Sequence, residues 1–568
     1  MGERRNNPTS SIKEVNWIIR EKMKKNFFKL FVIGLAMTTM LAGCSASKTS
    51  TDVSNDSNEA QTATAVDKDS VVIAITPDAE PKAGFDPING WSATGHTHDP
   101  LIQSTLLTFN GDITLENDLA TEYSVSDDGL TWTFKIRSDA KFSDDTPLTA
   151  KDVAFTFIKA KETVSGLDLS MIEKIEATDD STATFTLNKP YSPLAYLIAR
   201  IGIVPEHAYD STTYGTNPIG SGPYVLKQWD KGQQVIFEAN PNYYGTKPQI
   251  KKMTVVFMTE EASFAAAKAG EVDVAYTSAP YTTSSIPGYL IKAFDSVDHR
   301  EINLPVLPEG SKVMDINGKN EVEAGNAVTS NKAVRQAISY AIDRQAIADV
   351  VFNGYATPAY SASPGMPWEN EKAIIEYNPE KAKSIMEADG WALNKDGIYE
   401  KDGLLAEFTL TCMDETGRMG IAMAVKEMLD KFGIRVNIKG GMTWEEIDPT
   451  TYSTPSMMGG GQHSPLSDIS RFYTGLNRAV YSNKTVDKHM DDGLAATSME
   501  EAYKHFKLAA WDGTTGHITD ADCPWVFIVS VKHIYFMREN LKVIDNQIFP
   551  HGYGGWAICD YANEWSWK

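Results

Sequence analysis

Hydrophobic and polar positions fall into two textures along this chain. Ser70–Thr76 reads "SVVIAIT", a β-branched run that predicts a strand buried on both faces. After an Asp-Asp-Gly turn, Trp132, Phe134 and Ile136 alternate with Thr133, Lys135 and Arg137, the period of a half-buried strand. Residues 175–188, "IEATDDSTATFTLN", predict a hairpin, and 220–245 a Gly/Pro turn followed by two strands. "KMTVVFM" at 252–258 adds another strand. Helical spacing appears at 149–162, where Thr149 is placed to cap and Val153, Phe157 and Ile158 are assigned to one face. Residues 260–269 predict a helix ended by Gly270 and followed by a short strand.

From about residue 298 the pattern becomes helical with intervening strands. "NKAVRQAISYAIDRQAIADVVF" (331–352) has helical spacing that places Val334, Ala337, Ile338, Ala341 and Ile342 on one face. Residues 378–391 predict a Pro-started helix closed by Asp-Gly. Residues 404–412, 420–434 and 435–440 form a β-α-β unit. The glycines after Met457-Met458 predict a mobile loop rather than a soft-metal site. About 500 residues of this mixed texture exceed one hydrophobic core, so at least two lobes around a hinged cleft are expected.

The N-terminus changes the picture. From Met23 the chain runs "MKKNFFKLFVIGLAMTTMLAGC", with lysines, an apolar stretch too short to span comfortably, and small residues before Cys44. That is a secretory signal. Its last four residues, Leu41–Cys44, resemble the bacterial lipobox, which makes Cys44 the acylated first residue of the mature chain. Residues 1–22 are either an over-extended start or a real extension. Residues 44–68, polar throughout, read as a disordered tether.

Charge and cysteine content narrow the function. Removing residues 1–43, with eight Lys/Arg and three Asp/Glu, moves the formal charge from −22 to −27. So acidic a body excludes nucleic acid as a partner, and membrane attachment falls to the acyl chain. Cys412, Cys523 and Cys559 are too few and too scattered for a disulfide framework, and no Cys-x-x-Cys metal spacing occurs. Neither Gly-x-Ser-x-Gly nor His-Glu-x-x-His is present; an exported hydrolase using paired carboxylates stays a remote alternative.

Five segments carry a resemblance in one order: "TWTFKIRSDAKFSDDTPLTAKDVAFTF", "NPIGSGPYVLKQWDKGQQVIFEANPNYYG", "NKAVRQAISYAIDRQAIADVVFNGYATPA", "YNPEKAKSIMEADGW" and "AVKEMLDKFGIRV". Together they resemble bacterial ABC-importer extracellular solute-binding proteins of family 5, the peptide/nickel class, from about residue 70 to the end. "EINLPVLPEG", "NGYATPAYSASPGMPWEN" and "IFPHGYGGWAICDYANEWSW" are closest in texture to the nickel and metal-chelate branch. The resemblance implies an α/β, type II periplasmic-binding-protein-like fold with two discontinuous lobes and an extra subdomain. Domain I would comprise 69–113, 196–296 and 530–568, domain II 114–195, and domain III 297–529. The implied role is non-enzymatic: a monomeric extracytoplasmic lipoprotein captures a metal chelate or short peptide and passes it to an ABC permease and its ATPase. A general oligopeptide-binding protein or a peptide pheromone receptor is the alternative on the same scaffold. No cofactor is obligatory; nickel or another divalent metal would arrive as part of the ligand.

Candidate site residues follow from that frame. Peptide-binding members usually place an acid in a domain III loop to pair the peptide ammonium. Here that loop reads "MMGGGQHSPLSDISRFY", with Gln462 and His463 near the acid's place and Asp468 further along. His463 thus suits a metal chelate, since imidazole suits Ni, Cu and Zn, or it is a surface loop residue. His96 and His98, at i and i+2, would share one side of an extended segment at the cleft mouth and complete a chelate's coordination or bind its carboxylate. Asp99 fits a cap better than a metal ligand. Arg137 and Arg418 are placed as carboxylate clamps or as surface ion pairs. Trp91, Trp368, Trp444 and Tyr473 are assigned to the cleft wall or the core, and His533 to a structural place on its strand.

Overall fold

The computed structural model describes residues 69–89, 101–163, 168–551 and 555–568, which fall in one compact unit. Cys44, the tether, Trp91, His96, His98 and Asp99 lie outside the described residues. Three larger sheets organise the rest. The first has eight strands and is centred on Ser70–Ile75, flanked in parallel by Lys252–Phe257 and Val274–Thr277. Val71, Ile73, Ala74 and Ile75 are all buried, as the unbroken apolar run requires. The alanines Ala74 and Ala275 let the helix Glu260–Ala269 close onto this sheet through Ala266 and Ala267. Gly270 ends that helix at φ +77°, a left-handed turn that costs glycine nothing.

The second sheet has four antiparallel strands, Ala120–Val125, Thr131–Ile136, Thr182–Leu187 and Ile172–Asp179. Trp132, Phe134 and Ile136 are buried, in keeping with the alternation. The helix Ala150–Glu162 packs on it through Phe157, whose ring meets Phe185 edge-on at 5.0 Å. Thr149 and Asp152 form its capping box. Ile158 departs from expectation: it is exposed, because the buried face follows Val153, Phe157 and Ala160 and a neighbour of Phe157 is turned about 100° away.

The third sheet has six strands in the order Ala356–Pro358, Trp525–Val531, His299–Asn303, Ser456–Gly460, Glu407–Met413 and Arg435–Met442. Its last two strands are parallel, joined by the helix Thr416–Phe432, which is the β-α-β unit. One refinement and one correction belong here. The segment 331–352 is two helices, Lys332–Ala341 and Arg344–Val351, with Asp343 capping the second by accepting from the Ala346 amide at 2.9 Å. Met457 and Met458 are buried in the strand Ser456–Gly460, which pairs with His299–Asn303, rather than in a mobile loop. The glycines serve close packing: a Cβ on Gly460 would lie 2.2 Å from Arg471 Nη2, and one on Gly461 1.9 Å from the Val297 carbonyl oxygen.

The chain passes between the eight- and six-stranded sheets at two adjoining crossovers, Ser296–His299 and Val531–His533. The Val531 amide donates to the Asp298 carbonyl at 2.8 Å and Ser530 Oγ to the Ser296 carbonyl at 2.7 Å. Cys412, Cys523 and Cys559 are buried free thiols. No helix among the described residues is long and apolar enough to cross a membrane.

Candidate functional site

A cavity of about 300 Å3 of unfilled space, part of it open to solvent, forms where segments of both sheets meet. The eight-stranded sheet contributes its edge strand Ile548–Phe549, and the C-terminal turn adds Asp560 and Tyr561. Phe109 comes from the short strand Leu107–Phe109, and His463 from the segment after Ser456–Gly460. The backbone is pinned across the cavity, since the His551 amide donates to the Gly461 carbonyl at 3.2 Å. Tyr561 Oη donates to the Phe109 carbonyl.

His463 is the chemical centre. Its ring meets Phe109 edge-on at 5.5 Å and is buried, and its nitrogens lie beside the Ile548 and Phe549 backbone without a well-aligned hydrogen bond. The alternative of a surface loop histidine is thereby corrected. Burial pushes its pKa down to about 4, helped by nearby Arg200, so the ring is neutral and both lone-pair and N–H sites stay available at ordinary pH. Arg200, itself buried, reaches Gln462 Oε1 at 3.3 Å, and burial lowers its pKa to about 10. Arg200 escaped the sequence reading. Its signal was a lone cation inside the apolar run Leu194–Val204.

Beside the cavity lies a buried charge cluster under the crossovers. Asp298 accepts from Arg300 and from His551, with His533 Nε2 at 3.5 Å. Burial alone would raise its pKa, but Arg300 and His551 hold the carboxyl well below the usual range. Arg300 also faces Glu415 at 3.6 Å, and Glu415 accepts from Arg418 Nε at 2.5 Å. Arg471 grips Glu301 at 3.0 and 3.1 Å. Three arginines thus match three carboxylates, and the planar guanidinium forks make such pairing possible at close range.

The structure therefore brings Arg418 to the strand Ser456–Gly460, paired with half-exposed Glu415, and gives His533 a place under the crossovers. Arg137 lines neither cavity described here; its guanidinium pairs with Asp139 at 2.6 Å and lies over Tyr244 at 3.9 Å. Tyr473 donates to Asp491 at 2.9 Å, and burial with that carboxylate raises its pKa to about 12. Trp444 opens a short helix and receives Arg478 over its ring at 5.3 Å. Trp368 is core: its Nε1 donates to Ser363 at 2.7 Å and to Asp468 at 2.8 Å. Asp468 lines a second cavity with Arg344, Glu369 and His517, apart from the residues lining the first. Burial raises its carboxyl to about 6.

Discontinuous α/β lobes, two adjoining crossovers, an extra antiparallel subdomain and a cavity between the sheets define a type II periplasmic binding protein. The chain belongs to the bacterial extracellular solute-binding proteins, family 5, whose profile matches residues 114–482. It is 29% identical over 503 residues to Protein XP55 of Streptomyces lividans, covering 84% of this chain and 87% of that one. NikZ of Campylobacter jejuni, solved in complex with Ni(L-His), superposes with a TM-score of 0.70 at 23% identity, covering 88% of this chain and all of that one. The oligopeptide-binding protein AppA of Bacillus subtilis, solved with a nonapeptide, superposes at 0.64 and 22% identity, covering 88% and 99%. Proteins of this family are extracytoplasmic partners of ABC permeases and ATPases and bind peptides or metal chelates.

Proposed function

We propose that this chain is the capture lipoprotein of an ABC importer for a small metal chelate, anchored through acylated Cys44. The supporting observation is His463: a buried, neutral imidazole without a well-aligned hydrogen bond at either nitrogen, facing a cavity between the lobes. Neutral imidazole is a good ligand for Ni, Cu and Zn, and a chelate with an open coordination position would take it. Arg200, alongside, complements the carboxylates such a chelate carries. Domain I is proposed as 69–113, 196–296 and 530–568, domain II as 114–195 and domain III as 297–529, hinged at the crossovers. Solute contacts to both sides of the cavity would then bias the closed arrangement. His96 and His98 remain proposed contributors, as does Arg418; the chain itself performs no catalysis in this reading. The peptide alternative draws on peptide-binding relatives and on Asp560 at the cavity, whereas the loop that the resemblance assigns to a peptide-pairing acid carries Gln462 and His463.

Native mass spectrometry of protein purified from its host, with metal analysis on the same sample, tests the assignment. The expected result is a first-row metal with a small carboxylate-bearing organic molecule, and an acyl group on Cys44. A two- to five-residue peptide without metal would replace the chelate reading with the peptide one. His463→Ala should weaken chelate affinity about tenfold or more, the loss expected for one metal ligand or its orienting partner.

A further inference from the structure

Away from the cavity, the helices Lys484–Leu494 and Met499–Ala510 pack as a hairpin. His489 and Asp492, three residues apart, share one face of the first helix, and His505 faces them from the second. One ligating atom from each lies within 4.8 Å of the other two. Ions held by bonds of about 2.0–2.1 Å need donor atoms roughly 3.3 Å apart, so small side-chain rotations close the set.

The surroundings point the same way. His489 Nε2 faces Asp512 at 3.6 Å, and His505 Nε2 faces Glu501 at 3.5 Å. Asp512 is fixed in turn by the Thr514 and Thr515 amides, both at 2.7 Å to Oδ1, leaving Oδ2 for the imidazole. The Nδ1 atoms of both histidines are buried and have no hydrogen-bond partner. A carboxylate on one ring nitrogen and a vacant lone pair on the other is how metal-binding histidines are oriented. The present partner of Asp492 is Lys488 at 2.5 Å, whose exposed ammonium a divalent ion readily displaces.

We propose that His489, Asp492 and His505 form a site for a divalent transition ion such as Zn2+, Ni2+ or Cu2+, separate from the solute cavity. Two imidazoles and one carboxylate suit those ions and not Ca2+ or Mg2+, which require oxygen shells. With three protein donors, a water completes the coordination. The bound ion ties the two helices together, independently of what the cavity captures.

The experiment is calorimetric titration of the EDTA-stripped full chain with ZnCl2 alone, with no organic chelator present. About one equivalent should bind at this site. His489→Ala with His505→Ala should weaken uptake by about 100-fold or more, whereas His207→Ala, at an exposed imidazole beside Asp144, leaves it unchanged. Asp512→Ala, at a half-buried turn position, should weaken uptake about tenfold by releasing the His489 ring. It should also shift the visible absorption of the Co2+-loaded chain. Zn2+ uptake equal in wild type, the double variant and Asp512→Ala overturns the site, as does no uptake by wild type. Loss of uptake in His463→Ala alone would move the ion to the cavity and also overturn it. Failure of the chelate assignment leaves every arm readable, because no chelate is used.

Discussion

His463 shows how burial sets chemistry at a single residue. An imidazole in water protonates near pH 6.5, but the apolar wall around His463 lowers its pKa to about 4. Above pH 6.5 the ring is neutral in folded and unfolded chains alike. Below it the unfolded chain takes up a proton that the folded ring refuses until about pH 4, so stability present at neutral pH is lost across that window. At 1.36 kcal/mol per pH unit of displacement, the loss is about 3 kcal/mol. His463→Gln should therefore flatten the wild-type decline between pH 7 and pH 4.5 by about that amount in urea denaturation. A variant with the full wild-type slope would show that the ring protonates freely. The residue was legible from its loop address, while its burial was not, because Phe109 and Phe549 arrive from elsewhere in the chain. Gly461 was misread for the same reason. Its φ of +138° and the Val297 carbonyl above it express packing between distant strands, whereas the three glycines alone suggest looseness.

Elements whose signals are local were legible at once. Thr149 and Asp152 cap their helix, Gly270 ends another, and the β-α-β unit at 407–442 follows its periodicity. The division of 331–352 was not, because its cause lies outside the segment. Arg344 is drawn inward, where Nε donates to the Phe527 carbonyl at 2.7 Å and Nη1 to the Ser339 carbonyl at 2.9 Å. Its Nη2 donates to Ser339 Oγ, also at 2.9 Å. One guanidinium thus joins the two helices to the strand Trp525–Val531. Arg344→Leu would leave those carbonyls buried without donors, at about 1–3 kcal/mol for each group. A total of about 3–5 kcal/mol should be lost in urea denaturation, with Arg344→Lys recovering only part, since an ammonium lacks the planar fork. Equal stability of the leucine variant would show that water reaches these groups.

Across the whole molecule, the junction between sheets depends on one carboxylate. Asp298 lies within a crossover, and its partners come from both sides: Arg300 from the six-stranded sheet, His533 from the eight-stranded sheet, and His551 from just beyond that sheet's edge strand. Arg300 continues to Glu415 at the start of the β-α-β helix, and Glu415 to Arg418. The charges at the crossovers and those at the start of the β-α-β helix are therefore one network. This arrangement invites a test that separates anchoring from bulk. Asp298→Asn keeps the volume and removes the charge, leaving Arg300 buried without its nearest anion. Breaking a buried pair in this way costs about 3–5 kcal/mol. Urea denaturation should show that loss, and small-angle scattering of the variant without solute should report a wider spread of lobe arrangements. If Asp298→Asn matches wild type in both measurements, Glu415 alone balances Arg300, and the crossover carboxylate does not hold the lobes together.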